Sequence, residues 1–414
     1  MTKRRVVVTG YGAVTPIGIG VKEFWNSLIN GVNGVDLITK FDTTNFETKF
    51  AAEVKNFNPL DYFDKKELKR TDPFTQYALV STQEAIENSG INLEKVDKER
   101  FGVIFGSGIG GMEALQNEHF KYFQAKNPRV VSPFFIPMMI ADLAAGQISI
   151  KYGLKGPNYA TTSACATASH AIADAFMIIQ KGLADIMICG GSEAAIAEMS
   201  IAGFNSMKAL STWNDRYKEA SRPFDKDRNG FVMGEGSGTL ILEELEHALK
   251  RGANIIAELA GIGLTADAYH ITAPAPGGEG AVRSMKMAID DAGLSVKDID
   301  HINAHGTSTP YNDVTETMAI KTLFGEHAYK MVINSTKSMT GHLLGAAGGI
   351  EAIATILAIQ YDLVPPTINL TNPDPECDLN YSPLKPTPIS VNAAISNTFG
   401  FGGHNASLLF KKFN

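Results

Sequence analysis

The order of residues predicts an α/β protein built from about two or three domain-sized units, and three observations carry that expectation. Strand-length apolar runs alternate with stretches of helical periodicity, the pattern of α/β layering. Several of those runs are apolar at nearly every position, as strands covered on both faces are. The chain has 414 residues, 44% hydrophobic and 20% charged, a globular composition too long for one ordinary core.

The first strand is expected at 5–9, Arg-Val-Val-Val-Thr. Others are expected at 102–105, 186–189, 238–242, 255–262, 301–303, 332–334, 393–397 and 407–410. Helices are expected between them at 74–89, 168–181, 279–292, 314–324 and 343–360. The second of these shows its inner face in Ile172, Ala175, Phe176 and Ile179, three and four residues apart. A further helix over 242–250 leads to the best seam, Lys250-Arg251-Gly252-Ala253. Two domains, 1–252 and 253–414, are therefore expected. Each starts on a long β run and carries a chemically suggestive loop after a strand. That suggests a duplicated α/β unit, although the residues show no strong internal repeat.

Composition removes several function classes. The net charge of −7 excludes a globally basic surface for nucleic acid. Three cysteines, Cys165, Cys189 and Cys377, are too few and too scattered for a disulfide framework or a zinc ribbon. Met1-Thr2-Lys3-Arg4-Arg5 runs straight into Val6-Val7-Val8, an apolar run too short for a signal peptide. No stretch reaches the roughly 20 apolar residues of a membrane span. A soluble, reducing, cytoplasmic setting is expected.

Chemistry first shows at Ala160-Thr161-Thr162-Ser163-Ala164-Cys165-Ala166-Thr167-Ala168-Ser169-His170. Small residues flank Cys165, and the helical pattern begins just after it. The spacing places the cysteine near a helix N-terminus, where free N–H groups and the dipole favour thiolate. Thiolate is the nucleophilic form. Taken alone, a free cysteine is more often a small buried hydrophobe, and Cys189 and Cys377 read that way.

Two histidines follow strands. His305 lies in Asn303-Ala304-His305-Gly306-Thr307-Ser308-Thr309-Pro310, after the strand at 301–303. His342 closes Ser335-Thr336-Lys337-Ser338-Met339-Thr340-Gly341-His342, just before a helix. A positive helix end disfavours imidazolium, and a neutral histidine can donate N–H to a developing oxyanion. Either histidine alone reads as an ordinary polar residue, as His119, His247 and His327 do. One cysteine and two histidines could also hold zinc, but their spacing matches no local motif. Gly106, Gly108 and Gly111 have dinucleotide-fingerprint spacing. The acidic residue such a fold needs about 20 residues on is absent from Gln124-Ala125-Lys126-Asn127-Pro128-Arg129. Thr15 likewise stands where Gly10-Tyr11-Gly12 would need its third glycine.

Together, Thr162-Ser163-Ala164-Cys165, Asn303-Ala304-His305-Gly306-Thr307 and Lys337-Ser338-Met339-Thr340-Gly341-His342 resemble the cysteine-histidine-histidine signature of β-ketoacyl synthases. Val8-Thr9-Gly10, Ser221-Arg222-Pro223-Phe224-Asp225, Gly234-Glu235-Gly236, Pro365-Pro366-Thr367 and Asn397-Thr398-Phe399-Gly400-Phe401-Gly402-Gly403-His404-Asn405 extend the resemblance over essentially the whole chain. Retention of His342 is similar to the elongating group. Initiating synthases carry asparagine there, and thiolases use a second cysteine. Gly106-Ser107-Gly108-Ile109-Gly110-Gly111 resembles the type II enzymes. Residues 381–391 are slightly short against the family pattern, and His404 has no assignable role.

The resemblance implies a thiolase-like fold of five layers, α-β-α-β-α, with two duplicated halves. It implies a ping-pong condensation without metal or organic cofactor. Acyl carrier protein would load an acyl group on Cys165, then bring malonyl for decarboxylation. The N–H groups of Cys165 and Phe401 would form the oxyanion hole. His305 and His342 would bind the malonyl thioester oxygen, with Lys337, paired with Glu351, setting their electrostatics. Thr307 and Thr309 match contacts to pantetheine, Ile109 a wall of the acyl pocket, and Phe401 its gate; Glu351 is grouped with these substrate-binding residues. Lys65, Lys66, Lys69 and Arg70, with Lys126 and Arg129, match a docking surface for the acidic carrier. A homodimer is implied, with Phe134 and Phe135 near its interface and the acyl pocket. A polyketide-type ketosynthase would share the triad, whereas an inactive chain-length subunit would lack the nucleophile.

Overall fold

The computed structural model describes residues 3–413. Five strands build the first half: β1 (Val6–Thr15), β2 (Phe101–Gly106), β3 (Asn158–Tyr159), β4 (Ile186–Glu193) and β5 (Gly236–Glu244). Five more build the second: β6 (Ala257–Ala266), β7 (His301–Asn303), β8 (Val332–Asn334), β9 (Ala393–Gly400) and β10 (His404–Lys411). The helices that matter here are α1 (Pro73–Ser89), α2 (Met112–Ala125), α3 (Leu143–Tyr152), α4 (Thr167–Gln180), α5 (Leu245–Lys250), α6 (Glu279–Asp291), α7 (Pro310–Phe324) and α8 (Ala347–Tyr361).

Strand order in the first half is β1-β5-β4-β2-β3, and in the second β6-β10-β9-β7-β8. The sense of pairing matches at every step. In each half the last three strands of that order run parallel to one another, and the other two pairings are antiparallel. The halves join edge to edge where Val6, Val7 and Val8 of β1 meet Leu259, Glu258 and Ala257 of β6, antiparallel.

Side-chain alternation decides the layers, because successive residues of a strand face opposite sides. In β4, Ile186 and Ile188 pack outward with Phe74, Tyr77 and Ile148 of α1 and α3. Met187 and Cys189 pack inward with Ile172 and Phe176 of α4 and with Ile350 and Ile353 of α8. In the second half Ile302, Ile333 and Ile395 pack with Met285 and Ile289 of α6 and Ile320 of α7. Helices α4 and α8 thus lie between the two half-sheets, and α1, α3, α6 and α7 cover the outside. This is the expected five-layer arrangement.

Boundaries differ from expectation for local reasons. Strand β1 runs through Gly10 and Gly12 to Thr15, with a bulge between Val8 and Gly10. Helix α7 starts four residues early, with Pro310 in its first turn, where its missing N–H costs nothing. The helix expected at 343–360 begins as the 3₁₀ turn Leu344–Ala346 before α8. Leu344–Tyr361 is apolar and long enough to pass for a membrane span, but it is 89% buried within the protein. Sequence reading did not anticipate α2, α3 or Val21–Ile29.

Candidate active site

Cys165 sits in the 3₁₀ turn Ala164–Ala166, immediately before α4. Ala164 is held at φ 51°, the left-handed region that costs a residue with a Cβ. The strained turn presents Sγ to a cavity of about 360 Å³, lined in part by Cys165, His305, His342, Ile109, Thr307 and Phe401. Burial pushes the thiol up to about 11, against the opposing pull of the Lys337 charge and of the N–H groups of Phe401 and Cys165 itself. Desolvation thus opposes the thiolate that the helix end favours. The two converging N–H groups are the pair expected to form an oxyanion hole.

His342 Nε2 lies 3.0 Å from Cys165 Sγ. Its Nδ1 accepts the Leu344 N–H at 3.2 Å. An amide N–H can only donate, so the neutral ring carries its proton on Nε2. His305 is set the same way: its Nδ1 faces Lys337 Nζ at 3.4 Å. Both histidines are held well below their usual pKa, mainly by burial and then by the Lys337 charge, with His342 adding to the effect on His305. Each therefore offers Nε2–H as a neutral donor.

Lys337 forms an ion pair with Glu351, both 1% exposed. Burial raises the Glu351 carboxyl and the lysine opposes that. Neither residue lines the cavity. Glu351, expected among the substrate-binding residues, instead supports Lys337 from behind, because α8 carries it into the core. The His305 loop is tied down by Glu316, whose oxygens accept the N–H groups of His305 and Gly306, both at 2.8 Å. Burial pushes Glu316 up to about 7.

Thr307 and Thr309 line the cavity, with their hydroxyls 2.9 Å apart. The β9–β10 hairpin brings Phe401 over Cys165. A Cβ on Gly400 would come within 3.1 Å of the Cys165 nitrogen, a tight contact that glycine avoids. The hairpin is anchored in turn: Gly402 N–H donates to Ile271 O at 2.8 Å and Asn405 to Asp267 at 2.6 Å.

The expected docking residues lie apart from this chemistry. Lys65, Lys66, Lys69, Arg70, Lys126 and Arg129 are all exposed and none lines the cavity. Arg70 stacks over Phe134 at 5.1 Å and Lys126 over Phe123 at 4.7 Å. Sequence reading missed Lys208, Tyr311 and Asn312 at the cavity mouth; no motif surrounds Lys208 that could have singled it out. Ligating atoms of Cys165, His305 and His342 lie within 4.8 Å of one another. A metal ion fits that spacing, but the His342 tautomer turns an N–H rather than a lone pair toward Sγ.

The chain matches the model of the β-ketoacyl synthase N-terminal domain over residues 3–248 and of the C-terminal domain over 256–371. It is 54% identical over 413 residues to a 3-oxoacyl-[acyl-carrier-protein] synthase 2 of Synechocystis sp., covering 100% of this chain and 99% of that one. It is 55% identical over 410 residues to a protein of the same name from Staphylococcus aureus, covering 99% of each. Among solved structures, a β-ketoacyl synthase from Burkholderia phymatum is similar at TM-score 0.93 and 36% identity, over 99% of this chain and 100% of that one. A type II PKS acyl-carrier protein in complex with its ketosynthase bound to the hexaketide gives TM-score 0.93 and 35% identity, over 100% of both chains. With both family domains matched in order, and named relatives aligned nearly end to end at more than half identity, the chain belongs to the β-ketoacyl synthase family.

Proposed function

We propose that the chain is a 3-oxoacyl-[acyl-carrier-protein] synthase of fatty acid elongation, working through Cys165, His305 and His342. The observation that carries the reading is His342 Nε2 at 3.0 Å from Sγ with Nδ1 already engaged. In the first half-reaction Cys165 sulfur attacks an acyl thioester. The carbon–sulfur bond to the enzyme forms, the carrier thiol leaves with the cysteine's proton, and the N–H groups of Cys165 and Phe401 hold the tetrahedral oxyanion. In the second, the two Nε2–H groups bind the malonyl thioester oxygen. The carboxylate leaves as carbon dioxide, its electron pair forms the enolate, and the enolate carbon attacks the acyl-cysteine and expels the thiolate.

Lys337 adds to burial in keeping both rings neutral and faces His305 Nδ1 as a donor, and Glu351 holds Lys337 in place through their ion pair. Thr307 and Thr309 hold the pantetheine arm, and Ile109 and Phe401 bound the acyl chain. The inactive-subunit reading lacks support, since nucleophile and both histidines meet in one cavity. The polyketide reading is not favoured: relatives named for 3-oxoacyl-carrier synthesis reach 54–55% identity, against 35% for the polyketide ketosynthase complex.

Acyl carrier protein, acyl and malonyl forms, is the proposed partner, docking on Lys65, Lys66, Lys69, Arg70, Lys126 and Arg129. A homodimer is proposed through α2 and its neighbours. Of that helix only Ala114 and Glu118 are buried, while Phe120 and Phe123 are 63% and 58% exposed, and Phe134 and Phe135 lie beside it. The division into 1–252 and 253–414 is supported by the left-handed turn at Gly252 and by the gap between the two family matches. A cytoplasmic setting is supported by a nucleophile that works only as a free thiol.

Incubation with acyl-carrier thioester followed by mass spectrometry tests the reading. An acyl mass on Cys165, absent in Cys165→Ala, is expected. No acylation by any carrier or coenzyme A thioester would sink it.

A further inference from the structure

The glycine run at 106–111 has the spacing of a phosphate cradle but belongs to no dinucleotide fold. It does hold an acid group, the carboxyl of the protein's own Glu193, which burial pushes up to about 7 against the pull of the donors around it. This residue ends β4 and is fully buried. Its Oε1 accepts from Ser107 Oγ at 2.9 Å and from Ile109 N–H at 3.2 Å. Its Oε2 accepts from the N–H groups of Gly108 and Gly345, both at 2.9 Å. Backbone N–H groups converging this way make an anion-binding nest. A Cβ would lie 2.8 Å from Oε2 at Gly108 and 2.6 Å from it at Gly345, so the carboxylate and the two glycines require one another. A carboxylate only accepts, which suits four donors; a carboxamide would turn its own N–H₂ against them.

Two of the tied segments belong to the active cavity. Gly108 and Ile109 line it, and so does Leu344, whose N–H fixes the His342 tautomer. Glu193 itself does not reach the cavity. One carboxylate therefore registers the apolar wall of the first half against the histidine turn of the second.

We propose that Glu193 is a positioning residue that sets the depth of the acyl pocket, by holding Gly108 and Ile109 against the Leu344-Gly345 turn. This rests on the condensing-enzyme reading above. When the tie loosens, the Ile109 wall drifts into the space that the far carbons of a long acyl chain occupy. An acetyl group on Cys165 extends far less toward that wall than a long chain does. The effect of losing Glu193 therefore depends on chain length.

The test compares wild type, Glu193→Gln, Glu193→Asp and Ser107→Ala as full chains. Single-turnover acylation of Cys165 by acetyl-, octanoyl- and dodecanoyl-carrier thioesters is followed by intact mass, alongside thermal melting. Glu193→Gln is expected to lose about tenfold more rate with dodecanoyl than with acetyl. Glu193→Asp, which keeps the carboxyl group and adds no N–H₂, recovers part of that difference. Ser107→Ala removes one donor and shifts the profile the same way by about threefold, and it decides the question if Glu193→Gln does not fold. A loss equal at every chain length, or none, overturns the proposal. If wild type is acylated by no thioester, the condensing-enzyme reading fails instead.

Discussion

Before α4 the first half has the turn Ala164-Cys165-Ala166; before α8 the second half has Leu344-Gly345-Ala346. Both are single 3₁₀ turns, and both open on a left-handed residue, Ala164 at φ 51° and Leu344 at φ 47°. The counterpart of the nucleophile is therefore a glycine. It has no room to be anything else, since a Cβ there would stand 2.3 Å from Gly108 N. Duplication has aimed two equivalent helix ends at one cavity. Divergence has then given Cys165 and Ile109 to one half, and both histidines with Lys337 to the other.

The sharpest way to break that division is to remove or move the nucleophile. Cys165→Ala is expected to lower condensation by about a thousandfold or more while malonyl decarboxylation continues, measured by product and carbon dioxide release. Adding Gly345→Cys to it restores nothing, although the backbone turn is the same. Next come the histidines. His305→Ala or His342→Ala removes one donor from the enolate oxygen, which costs about 10²–10³ in decarboxylation rate, while intact mass still shows acyl on Cys165.

Lys337→Met strands the buried Glu351 charge, a loss of about 3–5 kcal/mol by chemical denaturation that Lys337→Met/Glu351→Gln reduces. It also moves the pH profile. The histidine pKa values are depressed in the fold, so activity fails only once pH falls far enough to charge them. Without the Lys337 charge those values rise, and the acid limb of activity in the double variant shifts to higher pH. Stability carries the same sign: the unfolded chain takes up protons first, so the histidine contribution is present above the unfolded pKa of about 6.5 and is lost as pH falls below it.

The meeting of Cys165, His305 and His342 in one cavity was legible because strand-end loops carry recognisable residues, although Cys165 and His342 stand 177 positions apart. The desolvation that raises the Cys165 thiol was not legible, because a helix end shows in sequence while burial does not. The pairing of Glu351 with Lys337 was legible only through the family resemblance, and Lys208 at the cavity mouth depends on contacts that no local pattern encodes. The internal repeat was present but sparse. Gly10 and Gly12 recur as Gly261 and Gly263, and Ser81 and Ala85 as Ser284 and Ala288. A Cβ on Gly12 would lie 1.9 Å from Ser81 O, and one on Gly263 1.8 Å from Ser284 O. Helices α1 and α6 thus press on β1 and β6 through the same contact, kept by four residues on each side. Gly12→Ala and Gly263→Ala should each cost about 1–3 kcal/mol by denaturant melt. Equal losses would confirm that the halves share this joint, and a loss in one only would break the equivalence.

The smallest expected effect lies on the surface, where the halves differ most. Lys65, Lys66, Lys69, Arg70, Lys126, Arg129 and Lys208 all belong to the first half and all are exposed. Exposed ion pairs contribute only about 0.2–1 kcal/mol each, so no single lysine should decide carrier binding. Reversal of two together, Lys65→Glu with Lys69→Glu, should raise KM for an acyl carrier substrate by about tenfold while leaving kcat unchanged. The same reversal at exposed Lys330 on the second half should change neither. The difference should fade with salt, because screening shortens the Debye length from about 10 Å at 0.1 M to about 3 Å at 1 M. A coenzyme A thioester, which lacks the acidic carrier, should be turned over equally by all three proteins. If Lys330→Glu weakens the carrier as much as the double reversal does, docking is spread over both halves.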